Sequence, residues 1–148
     1  MRPALLLLAC CSLPVLAQDP KPKVKAALVD AGTPPPNAVQ KEMQALHALM
    51  VTTLVAIENQ TLSTIPTAIH AVHEAKGETE KAITSGAWKP PRTDATVADF
   101  VKADEAFHDE LVKLLRASKT NDVVATTRQL GTVLDGCTSC HVRFRFPR

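Results

Sequence analysis

Two cysteines and a histidine near the end of this 148-residue chain carry its most specific chemistry: Cys137-Thr138-Ser139-Cys140-His141. Cys-x-x-Cys-His is the spacing at which haem is attached in c-type proteins. The two thiols add across the two vinyl groups of a porphyrin, and the adjacent imidazole ligates the iron from one side. In a helix, positions i, i+3 and i+4 share a face, so all three groups can meet one flat macrocycle. Seven residues follow His141, so a site here closes the fold. Two other chemistries use the same residue types. A redox Cys-x-x-Cys normally opens a helix beside a strand, where the thiolate is stabilised. Structural zinc would need His70 and His73 to complete a Cys/His set, and their His-x-x-His spacing is shorter than that of a zinc finger. The expectation is one covalent haem c, with a structural zinc protein as the remote alternative.

Such a motif needs a helix to hold it, and the chain supplies four helical patterns. No segment alternates with period two for long enough to make a sheet. The first pattern runs from about Ala38 to Asn59, with Asn37 as its N-cap after Pro34-Pro35-Pro36. Its apolar seam is Val39, Met43, Leu46, Met50, Leu54 (or Thr53) and Ile57. The second starts near Thr64, with Pro66 inside the first turn, where proline is tolerated. It carries Ile65, Ile69, Val72, Lys76 and Ile83, and Gly77 marks a point where it could kink or break. Gly86 to Arg92 is a loop. The third starts near Thr93 or Asp94 and ends near Ser118, with Val97, Phe100, Phe107, Leu111 and Leu114 as its stripe. A short turn at Lys119 to Asp122 makes the next helix antiparallel. The fourth runs from about Asp122 to Phe144, with Val123, Leu130, Val133, Leu134 and Cys137 leading to the motif. The expected fold is all-α: an antiparallel four-helix bundle over residues 37–148, without internal repeat.

Residues 1–17 read as a secretory signal: Arg2, an apolar run from Ala4 to Leu13, and Val15-Leu16-Ala17 for cleavage. A lipoprotein anchor at Cys10 is the lesser reading, because the apolar run before it is very short. Residues 18–36 are an extended lead-in with five prolines and several lysines. Cleavage after Ala17 would leave 16 basic against 15 acidic residues. A charge that close to balance gives no electrostatic reason to expect nucleic acid or an anionic membrane as partner. The only cysteines left would be those of the motif, so the mature chain is not a disulfide scaffold. Aromatic content is low, with four Phe, one Trp and no Tyr. A haem would therefore supply much of the core, and the chain without it is expected to be loosely packed.

The sequence resembles the class II cytochromes c, the cytochrome c′ family and its low-spin relatives, which carry Cys-x-x-Cys-His at the end of the last helix of a bundle. Ala106-Phe107, the run Leu111 to Leu115, a polar turn, a fourth helix and the motif follow in that family's order. Phe144 and Arg145 fit the aromatic–basic pair after the haem histidine, and Trp88 fits a tryptophan before the third helix. The first helix departs from the pattern. It has Lys41 and Glu42 where the family often carries an arginine near the haem propionates, and it has no glycine.

The resemblance implies that His141 is the axial iron ligand and that Arg145, one turn on, flanks it. On the other side of the iron the first helix offers Met43, Leu46, His47 and Met50 within two turns. A methionine there, Met43 by its spacing from the second helix, gives a six-coordinate iron of raised potential, suited to electron transfer. A His47 ligand would lower the potential. A facing Leu46 leaves the iron five-coordinate and open to NO or CO. His70, His73 and His108 read as surface or flank residues. No acid–base pair accompanies the motif, so an enzyme is not expected. The implied partners are redox proteins, small gases in the second case, and a second copy of the chain through the first two helices. The implied location is the periplasm or another exported compartment.

Overall fold

The computed structural model describes residues 35–145; the proposed signal sequence, its cleavage site, Cys10 and most of the lead-in lie outside the described residues. Four α-helices follow in order: α1 (Ala38–Asn59), α2 (Ile65–Thr84), α3 (Val97–Lys119) and α4 (Val123–Phe144), with a 3-10 turn at Leu62–Thr64 before α2. Among the described residues there is no strand.

Caps set where the helices begin. Asn37 accepts from the Gln40 N–H while the Gln40 side chain accepts from the Asn37 N–H, a reciprocal box that satisfies two otherwise orphaned donors. Asp122 caps α4 by accepting from the Ala125 N–H. The start of α3 differs from the sequence expectation. Thr96 is the cap, accepting from the Asp99 N–H, while Asp94 instead pairs with Arg92. Asp94 thus spends its carboxylate in the preceding loop. Gly77 neither breaks nor ends α2, which continues to Thr84. Its propensity cost is about 1 kcal/mol, small beside the packing of a 20-residue helix.

Each helix buries one row whose stride alternates mostly between four and three residues, the geometry of a bundle seam. The row is Glu42, Leu46, Leu49, Thr53 and Ala56 in α1, and Ile65, Ile69, Val72 and Thr79 in α2. In α3 it is Phe100, His108, Leu111, Leu114 and Ser118, and in α4 Thr126, Leu130, Val133 and Phe144. The α1 row settles the choice between Thr53 and Leu54. Thr53 is buried because its hydroxyl donates to the Leu49 carbonyl, and Leu54 is exposed. Val97 and Leu134, expected in the stripes, are also exposed: Val97 is the first residue of α3, and Leu134 lies one position off the α4 row.

Neighbouring helices run antiparallel. Along α3 and α4, Arg143 donates to Asp99 at 3.0 Å and Gln129 to Glu110 at 2.8 Å, so one helix ascends as the other descends. The close pairs are α1 with α2, α3 with α4, α2 with α3 and α1 with α4. α1 and α3 therefore stand across a diagonal. Arg92 in the loop before α3 donates to the Val142 carbonyl at 3.2 Å and ties down the last turn of α4. Beside it, Trp88, Phe100 and Phe144 form an aromatic chain with ring centroids 4.7 and 5.4 Å apart.

Leu114 is fully buried at the centre of the core, whereas Val124 is largely exposed. Leu114→Ala should cost about 2–5 kcal/mol of unfolding free energy, against about 0.5 kcal/mol or less for Val124→Ala. Urea denaturation of the purified protein reads both.

Candidate functional site

Continuing the α4 row by the same stride from Val133 gives Cys137, then Cys140, then Phe144. Both thiols therefore face the bundle interior, and both are half-buried and free of any disulfide. His141, one residue on, is half-buried, and the Arg145 N–H donates to its carbonyl at 2.9 Å to hold the last turn. These residues open onto a cavity of about 280 Å³ between α1, α3 and α4.

The cavity brings together nearly all the residues expected at the site. Cys137, Cys140, His141 and Arg145 line one side, and Met43, Leu46, His47 and Met50 of α1 line the other. Phe100, Asp104 and Phe107 of α3 complete the wall. Leu46 is buried in the core, Met43 and Met50 are half-buried against that core, and His47 is exposed at the margin. Gly136 lets the wall close. A Cβ there would lie 2.9 Å from one atom of the Phe107 ring, closer than real contacts allow, and 3.2 Å from another, so the ring would have to shift.

The electrostatics separate the candidate chemistries. Burial pushes the Cys137 thiol up, and burial followed by the Asp104 carboxylate pushes Cys140 up to about 11. Both sit in the C-terminal part of α4, whose dipole also disfavours an anion. A redox Cys-x-x-Cys or a zinc site needs thiolates, and this environment opposes them. Burial first, then the positive charge of Arg145, lowers the pKa of His141. The imidazole is therefore neutral at pH 7, with a lone pair for a metal. Two neutral thiols and a neutral imidazole on one mostly apolar wall fit a covalently attached haem.

The expected zinc set does not assemble. His70 is exposed and pairs with Glu74 at 3.4 Å, and neither it nor His73 lines the cavity. His108 corrects the expectation of a surface residue. It is 7% exposed, and its Nε2 lies 2.9 Å from Glu42 Oε1. Asp104, Glu42 and His108 were not anticipated as a group. The signal was present: Phe100, Asp104, His108 and Leu111 share one face by spacing, as do Glu42, Leu46 and Leu49.

Gly136→Ala should force the Phe107 ring to move and cost about 1–3 kcal/mol. Phe107→Leu in the same chain should recover part of that loss. Thermal denaturation of the two single variants and the double variant measures the coupling.

A family model described as cytochrome C′ matches residues 37–145. No curated protein and no solved structure matches the chain.

Proposed function

Because the chain belongs to the cytochrome c′ family, and is thus a c-type haem cytochrome, we propose that it is an electron carrier whose iron takes a sixth ligand from α1. One observation carries this reading: three of the four α1 residues lining the cavity, Met43, His47 and Met50, bear a side chain that can ligate iron. Met43 is the assigned ligand, with Met50 and His47 as the alternatives. The haem would supply one-electron chemistry; the chain's own residues supply attachment, orientation and electrostatics. Cys137 and Cys140 anchor a single group covalently, and His141 holds the proximal side. Arg145 places a positive charge beside that imidazole, which lowers its basicity and favours the reduced state. Apolar walls from Leu46, Phe100 and Phe107 exclude water and so raise the weight of that charge.

A five-coordinate, gas-binding reading draws on Leu46, which is buried and lines the same cavity. Optical spectra of the oxidised and reduced protein, then with CO, separate the two. Sharp low-spin bands that resist CO are expected. A high-spin spectrum that shifts with CO would give Leu46 the distal place and sink the carrier reading. Met43→Ala should convert the spectrum to high spin; if it does not and Met50→Ala does, the ligand is Met50.

No enzymatic activity is proposed. The secretory character of residues 1–17 supports export, as does haem attachment through thioethers, with redox proteins of that compartment as partners. Val51, Leu54 and Val55 form an exposed apolar stripe on α1, each about half accessible, which supports a homodimer through α1 and α2. Sedimentation equilibrium should give a dimer, and Leu54→Lys with Val55→Lys should give a monomer that keeps its haem spectrum.

A further inference from the structure

One level of the bundle core is built from charge. Beside the cavity stand Glu42, first in the buried row of α1, Asp104 and His108 of α3, and Lys76 of α2. Glu42 is 1% exposed and His108 7%. Nε2 of His108 lies 2.9 Å from Glu42 Oε1 and 3.7 Å from Asp104 Oδ1. One ligand atom from each of the three falls within 4.8 Å of the others. Lys76 Nζ stands 3.6 Å from Asp104 Oδ2 and also pairs with Glu80. The ring of His73 lies 5.6 Å from that of His108.

The hydrogen bonds of this layer do not close. Glu42 Oε2 is buried with no hydrogen-bond partner, and so is His108 Nδ1. A buried carboxylate with one oxygen unmet is costly, because nothing replaces the water it has lost. The one ammonium nearby is shared between Asp104 and Glu80 and makes no hydrogen bond or ion pair with Glu42. Burial, then the charge on Glu42, raises the pKa of Asp104, which fits a site short of positive charge.

We propose that Glu42, Asp104 and His108 bind one divalent transition-metal ion of the Zn²⁺ type, in a second site beside the haem cavity, whose wall Asp104 shares. The donor set selects the ion. Two carboxylate oxygens and one imidazole nitrogen suit a borderline cation that accepts three protein ligands and a water. Ca²⁺ and Mg²⁺ ask for six or more oxygen positions, which this layer lacks. Binding requires the Nε2 lone pair of His108, so the imidazole would carry its proton on Nδ1, which has no other hydrogen-bond partner. Glu42 Oε2 gains the partner it lacks. Lys76 is the competing cation: it holds Asp104 Oδ2, and its charge opposes a metal bound at Oδ1. The site does not depend on which residue is the distal iron ligand.

The test is isothermal titration of ZnCl₂ into the haem-loaded protein at pH 7, with stoichiometry checked by equilibrium dialysis and elemental analysis. One zinc per chain is expected. Glu42→Gln and His108→Gln should each weaken binding at least about tenfold, while Lys76→Met should strengthen it by removing the competing charge. The haem spectrum serves as the check that each variant is folded. His70→Ala should change nothing, since His70 and Glu74 form a separate surface pair. No zinc uptake by the parent and Lys76→Met proteins would overturn the proposal. So would uptake that survives Glu42→Gln and His108→Gln, or that His70→Ala abolishes.

Discussion

A helical row that faces a bundle core must be filled along its whole length, and in α4 that row runs into two thiols. Cysteine is small, and Cys137 and Cys140 leave space that the facing side chains of α1 and α3 do not take up. The cavity is the result. Its walls come from four structural decisions made elsewhere: the stride of α1, the stride of α3, the Arg92–Val142 tie and the glycine at position 136. Close-packed interiors do not tolerate such a gap without cause. A flat, largely apolar cofactor there would supply the missing contacts and join three helices through one body.

The same rows explain why the core is polar at one level. Glu42, Asp104 and His108 occupy buried or nearly buried positions by spacing, where the helix has no freedom to turn them outward. The Glu42–His108 contact links residues 66 apart and spans the bundle diagonal, tying α1 to a helix it otherwise barely meets. Such a pair holds register well and stabilises poorly, because desolvation offsets most of the attraction. The thiols feel this layer: the carboxylates of Asp104 and Glu42 both push the Cys140 thiol upward. Neutral thiols and a neutral imidazole on one side of the cavity, and a carboxylate cluster at its edge, define its electrostatics.

The proposed electron transfer would ask little movement of the protein around the iron, and the architecture is braced accordingly. The ring chain from Trp88 to Phe144, the guanidinium of Arg143 over Phe144 at 5.1 Å, and the Arg143–Asp99 pair all brace the turn that carries His141. Across the cavity, Met43 and Met50 lean on the core cluster from α1. The two sides are thus held by different contacts, and a change on one need not disturb the other.

Much of this was legible in the residues themselves. Cys-x-x-Cys-His defines its own geometry, because any helix puts i, i+3 and i+4 on one face. The caps at Asn37 and Asp122 and the short turn before α4 act within a few residues, so local chemistry sufficed for helix bounds and antiparallel order. The start of α3 was misplaced because Thr93, Asp94 and Thr96 are all competent caps, and Arg92 decides among them by engaging Asp94 and reaching the carbonyl of Val142, 50 residues away. The α1 seam admitted two registers one residue apart. Only the meeting of four helices chose Glu42, Leu46, Leu49 and Thr53 for the core and turned Met43 and Met50 toward the cavity. His108 reads as a surface or flank residue because it is polar alone; it is buried because it faces Glu42, and that pairing exists only in three dimensions.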